Sequence, residues 1–132
     1  MSRIQSLPKS RAGVYRDRAR DFAGQMDRAS EDGAWNSVGL LAVHCVISAC
    51  DALTVGGTGQ RWSGQDHAGV QGVVRSMGIP DAAPMLRLIS DVLSMKNRVE
   101  YESRPFSAKE AQLVRKSAER ILAWVEGGLP RP

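Results

Sequence analysis

Apolar residues recur at helical spacing along most of this chain. Over residues 12–30, Tyr15, Ala19, Phe22, Met26 and Ala29 fall three or four apart, with arginine and aspartate between them, which predicts a first helix. The run EDG at 31–33 ends it. A second helix is predicted over residues 35–55, where Asp51 is the only formal charge. A helix so apolar all round belongs at the centre of the fold. After a glycine-rich connection, GGTGQRWSGQDH, a short amphipathic helix is predicted over residues 66–77, carrying Val70, Val73, Val74 and Met77 on one side. GIPDAAP breaks it. A fourth helix over residues 83–99 buries Met85, Leu88, Ile89, Val92 and Met95. Ser107 and Glu110 have the spacing of a capping box and open a fifth, whose stripe is Ala111, Val114, Ala118, Ile121, Leu122 and Val125. Gly127 and Gly128 are expected to stop it, and Pro130 follows. No segment alternates at period two. The pattern predicts an all-α fold, an up-and-down bundle of four long helices plus one short helix, over residues 12–128. A flexible leader (1–11) and a short tail (129–132) flank it.

Composition changes this picture little. A chain of 132 residues holds about one domain with a single core, and 5% aromatic residues suit helices packed through aliphatic side chains. The net charge of +4, with many arginines in the N-terminal third, admits a polyanionic partner without demanding one. Cys45 and Cys50 lie five apart on one helix and point roughly 140° apart, which disfavours a disulfide between them. No second cluster of ligands accompanies them, so neither a metal site nor a cofactor is expected. The start MSRIQSLPKSR has no apolar signal segment, and no run is read as long enough to span a membrane. A cytoplasmic protein is expected.

Three groups of polar residues stand out. On the apolar second helix, His44, Ser48 and Asp51 lie within about 60° of one another. A buried carboxylate needs a partner, so Asp51 either takes a salt bridge from Arg61 or Arg98, or faces a cleft and orients a reactive group. In the loop, Asp66 beside His67, with Arg61 nearby, has the makings of proton transfer and phosphate binding. Yet Asp66 also suits an N-cap, and the glycines suit positive φ angles. Third, the fourth helix finishes in KNRVEYES. Lys96 and Arg98 suit the negative end of a helix dipole, whereas Glu100 and Tyr101 add an anion and a stacking surface that a helix end does not require. Trp35 and Trp124 read as packing, and Trp62 as a candidate surface for base stacking.

Taken with WNSVGLLAVHCVISACDAL, GQRWSGQDHAGV and a last helix ending AERILAWV, the segment KNRVEYES resembles the HEPN superfamily over about residues 12–126. The resemblance implies a homodimeric helical bundle, often with its polar site at the dimer cleft. Many such proteins are metal-independent ribonucleases, commonly toxins paired with a nucleotidyltransferase-like antitoxin. Their signature is an arginine, four to six residues, then a histidine near the start of the last helix. Here Glu100 or Tyr101 stands where that histidine would be, while Arg61 and His67 have the spacing but follow the second helix. The expected function is therefore a non-catalytic module binding a nucleotide, RNA or a protein partner. The alternatives are a ribonuclease, with His67, Arg98 and Asp51 catalytic and Arg61, Trp62, Asp66, Lys96, Glu100 and Tyr101 around the ligand, and a helical scaffold.

Overall fold

Twenty-four residues, Trp35–Thr58, form the longest helix, α2, and the rest of the chain is arranged around it. The computed structural model describes residues 3–64 and 66–129, with all side chains in that range except those of His67, Val99, Glu100 and Tyr101. The protein is mostly helical. In chain order it has a strand β1 (Ile4–Ser6), a 3-10 turn (Lys9–Arg11), α1 (Ala12–Glu31), α2, a strand β2 (Gln60–Trp62), α3 (His67–Ser76), α4 (Ala83–Ser94), α5 (Lys96–Tyr101) and α6 (Ala108–Gly128).

The apolar periodicity explains the core. Ala19 and Met26 of α1, Ile89, Val92 and Leu93 of α4, and Ala111, Ala118, Ile121 and Val125 of α6 close over Val38, Val43, Val46 and Ala49 of α2. Helix α1 runs antiparallel to α2, because Phe22 meets His44 while Tyr15 meets the partner of Asp51. Helix α6 runs alongside α2 in the same direction: Phe106, just before α6, sits at Gly39, and Gly128 at its end lies near Leu53. The predicted capping box forms, with Glu110 N donating to Ser107 Oγ at 3.1 Å and Ser107 N to Glu110 Oε1 at 3.2 Å.

Several expectations are corrected. Residues 4–6 are not part of a loose leader: β1 pairs antiparallel with β2, Gln5 opposite Arg61, and Leu7 N donates to Gly59 O at 2.8 Å. Helix α2 continues past Val55 to Thr58, and α6 runs through both terminal glycines. The fourth predicted helix breaks at Met95 into α4 and the six-residue α5, so it is not one of four long helices. Leu129, assigned to a tail, is buried against Gly56; residues 130–132 lie outside the described residues. Helix α2 is also long and apolar enough to cross a membrane by length and composition, contrary to the reading of the sequence, and 78% of its apolar window is buried inside the fold.

The glycines of the connection are not all there for positive φ. Only Gly59 adopts it, at φ 70°, ending α2. Gly56 and Gly57 lie in the last turn of α2, where a Cβ would meet Leu129 and Met77.

Candidate functional site

Asp51 is 4% exposed, in the C-terminal half of α2, on the face turned to α1. Of its two anticipated partners, Arg61 is the one it meets: Nη2 donates to Asp51 Oδ2 at 3.1 Å. Arg61 reaches inward because β2 alternates direction, and strand pairing sets Gln5 opposite it, so Nη1 donates to Gln5 Oε1 at 2.8 Å. The same guanidinium lies 5.2 Å from the centroid of the Tyr15 ring, and Arg18, one turn along α1, lies 5.2 Å from that ring as well. One side chain thus ties β1, β2, α1 and α2 together.

Burial lifts the Asp51 carboxyl to about 6, against the opposing pull of Arg61 and, more weakly, Arg18. Arg61 is therefore a positioning residue: both of its Nη groups are engaged within the fold, while its buried Nε has no hydrogen-bond partner among the described residues. The accessible cations are its neighbours. Arg11 and Arg18 border a cavity of about 280 Å³ beside Tyr15, with Leu7, Pro8 and Val14 in its walls. Arg3, Lys9, Arg11, Arg16, Arg18 and Arg20 precede residue 21 with Asp17 as the single acid, so this segment carries a charge of +5 and the remainder of the chain −1. Among the described residues, Lys9, Arg11 and Arg18 have no carboxylate within ion-pair distance.

The anticipated convergence of Asp51 with Arg98 does not occur. The Arg98 guanidinium lies 4.5 Å from the centroid of the Phe106 ring, and Nη1 donates to Glu110. Phe106 itself packs on Gly39, whose Cβ would be 2.7 Å from Phe106 Cε2. Gly39 and Asp51 are twelve residues apart on one helix, about 18 Å. Arg98 therefore occupies the other end of α2, where it supports the start of α6. Its hydrogen bond, with that from Ser107 N, holds the Glu110 carboxyl down at about 2, and Arg104 approaches the same carboxylate at 3.7 Å. Lys96 is half-buried at the beginning of α5, at this same end.

The remaining candidates divide differently. Trp62 Nε1 donates to Asp66 Oδ1 at 3.0 Å, and this bond replaces the expected cap, since the Asp66 side chain makes no hydrogen bond to the α3 backbone. The Trp62 ring lies on Gly69, where any Cβ would overlap it, and beside Gly64. It is half-buried against the core and is not a free stacking surface. His67 begins α3, and Glu100 and Tyr101 close α5, but the side chains of all three lie outside the described residues. His44 stacks on Phe22 with ring centroids 5.5 Å apart, and Ser48 is buried below it. Both thiols are free and buried, which pushes Cys45 up to about 12 and Cys50 higher still.

Reading the sequence missed Gln5, Arg11, Tyr15 and Arg18 as parts of a site. The available signal was the density of arginines ahead of residue 21; Tyr15 was absorbed into the apolar stripe of α1. Comparison with models of known protein families and with curated proteins finds no match for this chain.

Proposed function

We propose that the protein is a non-catalytic binding module of HEPN-like helical-bundle architecture, whose ligand carries phosphate: RNA or a nucleotide. One observation carries this reading. Lys9, Arg11 and Arg18 are exposed and close together in the chain, while the only buried carboxylate among the described residues, Asp51, is already committed to Arg61. Arginine guanidinium groups bind phosphate oxygens through paired N–H donors, and Arg11 and Arg18 stand ready to do so at the Tyr15 cavity. The ribonuclease alternative asks for an arginine, a histidine and an aspartate in one cleft. Arg98 lies over Phe106, which packs on Gly39, a helical rise of about 18 Å along α2 from Asp51, and this speaks against that set within one copy.

Incubation with bulk tRNA and mRNA in EDTA, alongside a His67→Ala variant, separates these readings. The expected result is retention of intact RNA, weakening as salt rises, and unchanged in the variant. Cleavage that persists in EDTA and disappears with His67→Ala establishes the ribonuclease instead. If RNA is neither bound nor cut, the helical-scaffold reading replaces both.

A further inference from the structure

Helix α6 carries a second concentration of positive charge, on the side opposite its buried stripe. Lys109, Leu113, Lys116 and Arg120 follow one another at intervals of four, three and four residues, so they lie within about 60° of one another around the helix. All four are exposed, and Leu113, at 67%, is the most exposed large hydrophobic side chain among the described residues. The three cations form no ion pair among the described residues, whereas Arg115, on another face of α6, is held by Asp27 and Glu119. Beside the stripe runs an apolar groove of about 380 Å³ between α4 and α6: Leu88, Val92 and Met95 form one wall, Leu113 and Val114 the other. Of the two acids on the groove, Glu110 is already taken by Arg98, and Asp91 is exposed on the α4 edge.

We infer that this groove docks an acidic amphipathic α-helix of a protein partner, with its apolar stripe on Leu113 and its carboxylates along Lys109, Lys116 and Arg120. Recognition of a helix in a groove needs an apolar channel and a way to fix the helix within it, and here a charged rail runs parallel to the channel. From Lys109 to Arg120 the rail rises about 17 Å, so a partner helix of about three turns spans it. The carboxylates belong on one edge of that helix only, because an acid on the other edge would face Asp91. A second copy of this chain is a poor occupant: a two-fold contact of this face with itself sets three cations against three. The basic segment before residue 21 meets the same repulsion. Nucleic acid would answer the cations but leave Leu113 and the floor of the groove in water. The face also lies apart from the cations assigned to phosphate. Gln112 Nε2 donates to Ser30 Oγ at 2.7 Å, which sets Leu113 level with the end of α1, about 18 Å along that helix from Arg18.

The test uses fluorescence anisotropy with a labelled helical peptide of about five turns, carrying leucines on one face and glutamates along one edge. A version with lysine in place of each glutamate and a labelled 12-mer RNA are the controls. Two variants, Leu113→Ala and Lys109→Glu/Lys116→Glu, change only exposed side chains, and circular dichroism confirms their folding. The expected result is saturable one-to-one binding of the glutamate peptide to the wild type and none of the lysine peptide. Leu113→Ala weakens that binding roughly 10-fold, from the apolar contact it removes. Lys109→Glu/Lys116→Glu weakens it by roughly 10-fold or more and flattens its salt dependence, while both variants retain RNA as the wild type does. Absence of glutamate-peptide binding to the wild type overturns the proposal. Equal affinity of Leu113→Ala and wild type does so too, since charge alone would then attract the peptide. Loss of RNA from Lys109→Glu/Lys116→Glu assigns the stripe to nucleic acid instead. A wild-type dimer, seen by sedimentation and dissociated by Leu113→Ala, assigns the face to a second copy; either result overturns the helix as occupant.

Discussion

Arg61→Ala is expected to cost about 3 kcal/mol of stability at pH 8 and much less at pH 4.5, measured by urea unfolding. The difference comes from Asp51. In the wild type its folded value is raised to about 6, above the ordinary carboxylate value of 3.8, so the folded state keeps a proton that the unfolded chain has already released between those values. That contribution to stability is present at acid pH and is lost as pH rises through about 6, a change of about 3 kcal/mol. Removing Arg61 takes away the cation that opposes this shift. The Asp51 carboxyl then rises further, and the loss continues above pH 6, where the wild type has levelled off. At pH 4.5 Asp51 is protonated in both folded proteins, and the variant lacks only the contact over Tyr15 and the bond to Gln5. A penalty that is equal at the two pH values would show that Arg61 acts through packing and not through Asp51.

The opposite end of α2 depends on an aromatic ring. Phe106 is 5% exposed, fits against Gly39 because that residue has no side chain, and carries Arg98 on its face. Phe106→Ala should lose about 3–4 kcal/mol, from the transfer of a buried ring and the cavity left behind. Phe106→Leu, which refills most of that volume, should lose about 1 kcal/mol. Both variants, assayed while folded, are expected to bind RNA as the wild type does, since the cations of the turn and α1 are remote from Phe106. A folded Phe106→Ala protein that no longer binds would return the site to the KNRVEYES end.

The sequence announced its helices because their signals are local and repeated. The apolar positions of α1, α2 and α6 recur over five or more turns, and Ser107 with Glu110 forms the capping box their spacing announces. The strands escaped notice because three residues, Ile4–Ser6 against Gln60–Trp62, cannot display a period of two. Their pairing joins positions 56 residues apart, and no local pattern encodes it. Asp51 was legible as a buried charge in need of a cation, with Arg61 and Arg98 both available. Only the direction taken by β2, and the break at Met95, decided between them. Asp66 shows a competing partner winning: the residue suits an N-cap, yet the indole of Trp62 takes its carboxylate. The cationic cavity could not be read because Tyr15, Arg11 and Arg18 look like an ordinary amphipathic helix start until Leu7 and Pro8 fold back beside them.

Amide and side-chain NMR during titration with a 12-mer RNA tests most directly which end of the protein binds. Shifts concentrated at Lys9, Arg11, Tyr15 and Arg18, with Arg98, Phe106 and Glu110 unmoved, are the predicted result. Shifts concentrated at Arg98 and Glu110, with the turn and the start of α1 unchanged, would contradict it.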